Sequence, residues 1–326
     1  MAFKLDLFDD FHLHGASAPE WNQRYLQISH GTMRSSLAEA TSGNLHVFRK
    51  WMSERVVQQG CLPAGKICFA VLNGGGAGTP RMQGHELRED RLFILRSGEE
   101  FTLQRPKGME LLAVTFEAED LLRLLDARAW PTSARRLLLS RQVLQAPVRS
   151  VQRLRRDLLA LLAGPPTAHS PTPVLAEDAL ALRAVFDALG DLFGGAAGSG
   201  QTLGSASAHF IVTECHRIVA SGGADAPASI DALCRRLRTS RRSMQNSFRQ
   251  VADTTPVHYL RSLRLNAVRR RLISTRRAEL SVSQAAADQG FIQLSHFTER
   301  YKALFGELPS QTPRGDDTAG EMRAAT

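Results

Sequence analysis

The sequence predicts an α+β protein: a β-rich front half, a helical middle segment, and an all-α C-terminal domain in which a long helix joins two helix-turn-helix units. Three observations predict this. Between residues 27 and 117, short apolar runs alternate with glycine-containing turns. Beyond Glu119 the apolar spacing lengthens to i, i+3, i+4. Near the C-terminus one pattern occurs twice, over residues 230–256 and 282–309.

In the front half, residues 68–73 (CFAVLN) are an apolar run ending in Gly74-Gly75-Gly76, which reads as a strand followed by a loop. Residues 91–103 read as a strand, a Ser97-Gly98 turn and a second strand, and residues 111–116 (LLAVTF) as a buried strand. Residues 44–57 alternate in character, with Leu45, Val47, Phe48 and Trp51 as the apolar members. A small barrel or jelly roll accommodates such strands. Helices are expected over 120–126, 148–162, 174–193 and 205–220, with breaks at the Pro-rich 164–173 and the Gly-rich 194–200. The expected domains are a peripheral, disordered start (1–25), the β-rich domain with its helical segment (26–200), the repeat-bearing domain (201–314) and a disordered tail (315–326).

Charge separates the two halves. The chain holds 41 Lys/Arg against 32 Asp/Glu, a net +9 with a pI near 10.0. From residue 224 onward there are 17 Lys/Arg against 10 Asp/Glu, so the last third carries seven of the nine surplus charges. Residues 235–277 contain 13 arginines and one acid, Asp253. A solvated helix face is the plain reading of such a run; on a helix-turn-helix frame it suits a polyanion instead.

Other classes find little support. Cys61, Cys68, Cys215 and Cys234 show neither zinc-site nor disulfide-framework spacing and are expected to be reduced thiols. The single His-x-His pair is His12 and His14, near the start, and His85-Glu86 stands alone, so no metal site is assigned. There is no G-x-S-x-G elbow, and the glycines at 74–78 lack a following P-loop lysine. No catalytic residue or cofactor is assigned, and any cofactor-binding residues are unknown. The first thirty residues lack a signal-peptide core and no apolar run reaches about 18 residues, so a cytoplasmic protein with no membrane partner is expected.

In the first repeat, Ile230, Leu233 and Leu237 stripe a short helix with Asp231 in its first turn, and Thr239-Ser240 offer an N-cap to the next helix. There Met244, Phe248 and Val251 fall at i, i+4, i+7 and face the core. Arg241, Arg242, Gln245, Asn246 and Arg249 then face outward, and Arg, Gln and Asn are the side chains that read guanine and adenine edges bidentately. In the second repeat Gly290 takes the turn, Phe291 is expected in the core, and Phe297, Tyr301 and Leu304 form the inner face. Its outward set is Leu294, Ser295, Thr298 and Glu299, with Arg300 and Lys302 towards phosphate; Leu294 suits a thymine methyl and Glu299 a cytosine amine. His296 is read as structural or solvent-facing. An equally open reading leaves this second unit weakly engaged. Between the repeats, residues 257–274 form a helix with Tyr259, Leu260, Leu263, Leu265, Val268 and Leu272 inward and Arg261, Arg264, Arg269, Arg270 and Arg271 around the rest, Arg270 being assigned to phosphate. A helix of roughly 17 residues is about 25 Å long, which spaces two recognition helices about one DNA turn apart. Double-stranded DNA, met in two adjacent major-groove segments, is the expected partner.

Residues 230–312 resemble the AraC/XylS family of bacterial transcription regulators. The family pattern A-x-x-x-G-F, F-x-x-x-Y/F-K, G-x-x-P stands here as Ala286 to Phe291, Phe297 to Lys302 and Gly306 to Pro309. Residues 240–248 (SRRSMQNSF) and 264–274 (RLNAVRRRLIS) are similar to the ethanolamine-operon regulator branch, as residues 43–74 are more loosely. The resemblance implies a cupin-like domain in front that senses a small-molecule effector and dimerises, an activator that contacts RNA polymerase, and a homodimer. An ethanolamine or cobalamin effector is not carried over, because the front half matches that branch only loosely. Two departures stand out. Arg238 replaces the first turn's glycine, at up to about 1 kcal/mol if its φ is positive, and residues 277–281 lengthen the approach to the second unit. The alternatives are a regulator controlled by a protein partner with no small ligand, and a cupin enzyme fused to a DNA-binding domain.

Overall fold

The computed structural model describes residues 2–74, 76–127, 142–163, 205–223 and 229–315, with scattered positions within 136–140 and 183–190. The expected breaks at 164–173 and 194–200, much of the 174–193 helix and residues 316–326 of the tail lie outside the described residues. The chain divides into two compact units, Met1–Arg24, Arg34–Ser53 and Gln58–Thr202 in the first, Tyr25–Met33, Glu54–Val57 and Leu203–Thr326 in the second.

The first unit is built on two sheets. One has seven strands: β1 (Ala2–Phe8), β3 (Ser35–Ser42), β4 (Leu45–Met52), β11 (Glu110–Glu117), β6 (Lys66–Gly74), β9 (Arg91–Arg96) and β12 (Val143–Gln145), in that spatial order. The other contributes to this unit residues 58–61 of β5 (Val56–Cys61), then β10 (Glu100–Arg105), β7 (Arg81–Met82) and β8 (His85–Glu86), whereas residues 25–27 of β2 (Arg24–Gln27) and residues 56–57 of β5 are counted in the second unit. Among the described residues this unit also holds helices α1 (Phe11–Ala16), α2 (Ala118–Ala127) and α3 (Val148–Ala163).

Pleating sends alternate residues of the large sheet into two different cores. Leu112, Val114 and Phe116 of β11 cluster with Phe69 and Val71 of β6 and with Val151, Leu154 and Leu158 of α3. Their neighbours Leu111 and Ala113 cluster with Cys68, Ala70, Phe93, Phe101 and Leu103. These strands are covered on both faces, which is why residues 68–73 and 111–116 read as uninterrupted apolar runs.

The expectation of a disordered first 25 residues is corrected. β1 pairs with β3 over seven consecutive residues. The Asp10 carboxylate caps α1 by accepting from the His12 N–H at 2.7 Å, and Phe11, His14 and Trp21 are buried. Asp10 thus serves as a helix cap, and His14 is a buried imidazole held at 2.7 Å by Ser35 Oγ.

A buried cation pair in this unit was not foreseen either. Lys50 on β4 and Arg105 on β10 are 5% and 0% exposed. Lys50 Nζ donates to Gln23 Oε1 at 3.1 Å, Gln58 Nε2 donates to the same oxygen at 2.8 Å, and Arg105 donates to Gln58 Oε1 at 3.3 Å and to the Lys50 carbonyl at 2.9 Å. Burial first, then the Arg105 charge, hold the Lys50 ammonium down to about 7, against an opposing pull from Glu39, Cys68 and Glu20. The unfolded chain therefore binds the extra proton between about pH 7 and the ordinary lysine value, and stability rises with pH across that window. Below pH 7 both states are protonated and the destabilisation is fully present. Thermal melts between pH 7 and 9 are predicted to show this rise in the wild type and a flatter profile in Lys50→Met; identical profiles would place that ammonium in water.

Candidate nucleic-acid interface

The second unit opens with α4 (Ser205–Gly222) and continues through α5 (Ile230–Arg236), α6 (Arg241–Ala252), α7 (Pro256–Ser274), α8 (Val282–Ala287) and α9 (Leu294–Phe305). Val212, Cys215, Ile218 and Val219 of α4 form one core with Leu233, Met244, Phe248, Val251, Tyr259 and Leu263. His216 Nδ1 meets the Tyr259 hydroxyl at 2.9 Å within it.

The two helix-turn-helix units start and stop by the same local devices. Ser229 caps α5, Ser240 caps α6 and Ser281 caps α8, each side chain accepting a backbone N–H three residues on, at 3.2, 3.0 and 3.1 Å. Each turn is closed by a matching bond, Thr239 N–H to Cys234 carbonyl at 3.0 Å and Phe291 N–H to Ala286 carbonyl at 3.1 Å. The residue before each donor is left-handed: Arg238 at φ 49° and Gly290 at φ 77°. Arg238 thus adopts the strained conformation anticipated for it. Three residues separate Gly290 from α9 where two separate Arg238 from α6, and Gln293 makes no side-chain cap. Both recognition helices run 12 residues and end on a left-handed residue, Asp253 at φ 50° and Gly306 at φ 79°.

That phasing decides which side chains face water. On α6, Met244, Phe248 and Val251 are buried together with Ser247, while Arg241, Arg242, Gln245, Asn246 and Arg249 are exposed. Within that exposed set Arg241 forks onto the Asp231 carboxylate, which lies below its ordinary range because of that hydrogen bond. On α9, Phe297, Tyr301 and Leu304 are buried; Leu294, Ser295, Glu299, Arg300 and Lys302 are exposed and Thr298 is half-buried. His296 is exposed, and Phe291 is half-buried with its ring 5.1 Å from that of Phe297. Arg270 is exposed on α7.

Arg269 departs from the expected solvent-facing arginine set. It is 7% exposed, with Nη1 at 2.6 Å from Glu307 Oε1 and its guanidinium 4.8 Å from the Phe305 ring centre. Planar, weakly hydrated guanidinium can be buried when so paired and stacked, and here it ties α7 to the end of α9.

Several residues of this unit escaped the sequence reading. Ile292, just ahead of α9, is 96% exposed beside the half-exposed Leu294; lying in a turn, it belongs to no helical stripe. Residues 26–33 and 54–57, assigned from sequence to the β-rich domain, fall in the second unit. Asn266 of α7 binds the Gln27 backbone at two points, both 3.1 Å, and Gln27 Nε2 donates to the Leu304 carbonyl at 2.7 Å. Gly31 N–H reaches the same carbonyl at 3.2 Å. Arg55 donates to the Ala252 carbonyl at 3.1 Å and pairs with Asp253 at 3.2 Å. His258 Nε2 sits 2.8 Å from the Ile28 carbonyl. Sequence separations of about 200 residues and more give no local signal for such contacts.

The class this geometry defines is a helix-turn-helix domain, and the comparisons agree. Residues 233–315 match the family model described as Helix-turn-helix domain. Over 86 residues the chain is 38% identical to the XylDLEGF operon transcriptional activator of Pseudomonas putida, covering 26% of this chain and 27% of that one. It is 35% identical over 85 residues to the HTH-type transcriptional regulator CdhR of Pseudomonas aeruginosa, covering 26% and 24%. The matched stretch thus spans about a quarter of the length of these relatives. The crystal structure of the AraC-like transcriptional activator CuxR aligns with 89% of this chain and 100% of that one at 13% identity and a TM-score of 0.45, too loose a likeness to bear on function. Among the described residues no helix is long and apolar enough to cross a membrane, and no group of three or more His, Cys, Asp or Glu is placed to hold a metal ion.

Two stability changes follow from the geometry. Arg238→Gly is predicted to raise unfolding free energy by about 1 kcal/mol, because glycine takes φ 49° without strain. Asn266→Ala is predicted to lower it by about 1–3 kcal/mol by leaving the buried Gln27 N–H and carbonyl unmet. Chemical denaturation of the full chain reads both; a destabilised Arg238→Gly variant or a neutral Asn266→Ala variant contradicts the assignment concerned.

Proposed function

We propose that the chain is a sequence-specific transcription regulator of the AraC/XylS type, acting as an activator, whose first unit is a cupin-like domain that senses a small-molecule effector and brings two copies together. The observation carrying this reading is the outward face of α6, where Arg242, Gln245, Asn246 and Arg249 stand exposed on a helix whose other side is locked into a core. Resemblance of the C-terminal third to operon activators supports the same reading.

On duplex DNA, Arg242, Gln245, Asn246 and Arg249 read guanine and adenine edges in one major-groove segment. Arg241 starts from its bond to Asp231 and either keeps that bond or exchanges it for a base or phosphate. In the next segment Leu294 and the neighbouring Ile292 meet thymine methyls, Glu299 accepts from a cytosine amine, and Ser295 and Thr298 offer hydroxyls. Arg300, Lys302 and Arg270 meet phosphates, which supply affinity without sequence preference. The 19 residues of α7 make a helix of about 28 Å, suited to holding the two readers near one turn of the duplex apart. RNA polymerase is the further partner that an activator of this type contacts.

Fluorescence anisotropy on a selected operator tests the assignment. Arg242→Ala is expected to weaken specific binding by about 1–3 kcal/mol and to relax preference at one base pair. Arg270→Ala is expected to weaken all sequences alike and to lower the salt slope by about one. Unchanged affinity and specificity in Arg242→Ala would remove α6 from the groove, and an unchanged slope would leave Arg270 in solvent.

A further inference from the structure

β1 is the outer strand of the seven-stranded sheet, paired with β3 along one edge only among the described residues. Natural edges are blunted by bulges, prolines, short length or charge; β1 runs seven residues in unbroken register with no proline, and its two charges, Lys4 and Asp6, are of opposite sign. Phe3, Leu5 and Leu7 alternate along one face and are 44%, 64% and 77% exposed. On the other face Lys4 and Asp6 form an ion pair at 2.6 Å.

We infer that the free edge of β1 is where a second copy of this chain docks, by antiparallel β1–β1 pairing centred on Leu5. The proposal rests on the homodimer put forward above and adds its surface. Charge selects the occupant and the register. Directly opposed residues in an antiparallel pair lie on the same face, so a two-fold pairing of β1 with itself can be centred on Lys4, Leu5 or Asp6. Centring on Lys4 opposes two ammonium groups, and centring on Asp6 opposes two carboxylates. Only the Leu5 centre sets each Lys4 against the partner's Asp6, and it also sets Phe3 against the partner's Leu7 and Leu5 against its own copy. The strand is self-complementary in charge and in apolar pattern at once. A two-fold pair of this kind closes and adds no third copy at the same edge. Two seven-stranded sheets would become one continuous sheet across the axis. A seven-residue edge is only about 24 Å long and offers less than the roughly 800 Å² per partner of a standard interface, so the dimer should be weak and concentration-dependent.

Sedimentation equilibrium of the full chain from about 1 to 100 μM, the span of a weak interface, tests this. The wild type is expected to pass from monomer to dimer across that range. Leu5→Arg, which opposes two guanidinium groups at the centre, and Lys4→Asp, which opposes carboxylates, should each weaken the dimer about tenfold or more. The double variant Lys4→Asp/Asp6→Lys rebuilds the same cross-strand pairs with signs exchanged and should restore dimerisation; melting curves for each variant confirm that the monomer is folded. A dimer of wild-type strength in Leu5→Arg and Lys4→Asp overturns the β1 edge while leaving the homodimer reading intact. A wild type that stays monomeric throughout overturns both, and growth into open-ended assemblies overturns the two-fold pairing.

Discussion

The rotational setting of α6 and α9 about their own axes is the constraint on which the rest of the second unit depends. Met244, Phe248 and Val251 on one helix, and Phe297, Tyr301 and Leu304 on the other, are all nearly or fully buried. A turn of about 100°, one residue's worth, would carry charged or amide side chains into those cores. Burying such groups without partners is disfavoured by several kcal/mol. The outward presentation of arginine, glutamine and asparagine on α6 is thus fixed by what lies behind it.

The ends of both helices are held with equal care. The last carbonyls of a helix have no partner within it, and here two short segments supply partners from far away in sequence. Arg55 donates to the Ala252 carbonyl at the end of α6, where a cation also complements the helix dipole. Gln27 and Gly31 donate to the Leu304 carbonyl near the end of α9. Asn266, at the middle of α7, grips the Gln27 backbone between them, and Arg269 braces Glu307 just beyond α9. Helices α6 and α9 are therefore tied to one another through more than the helix that joins them.

Much of this was legible in the sequence, for identifiable reasons. The helix start at Ser240, the left-handed turn residues Arg238 and Gly290, and the inner faces of α6 and α9 are short-range features written in adjacent residues. The strands β6, β9, β10 and β11 were legible because their apolar runs end at glycine turns. Arg269 was misread because periodicity counts an arginine as surface, while its neighbours Glu307 and Phe305 arrive from 36 and more residues away. Gln27, Arg55 and Lys50 were missed for the same reason: the partners of each are distant in sequence. The ordered start escaped notice because Asp10 and His14 act through a cap and a buried hydrogen bond rather than through an apolar pattern.

The central claim is that the two helix-turn-helix units read adjacent major-groove segments from one side of a duplex. Hydroxyl-radical footprinting of the full chain on genomic fragments at moderate ionic strength tests it most directly. The account predicts two protected tracts on one face of the duplex, their centres about 10 base pairs apart, for each bound copy. A single tract, or none, would contradict it.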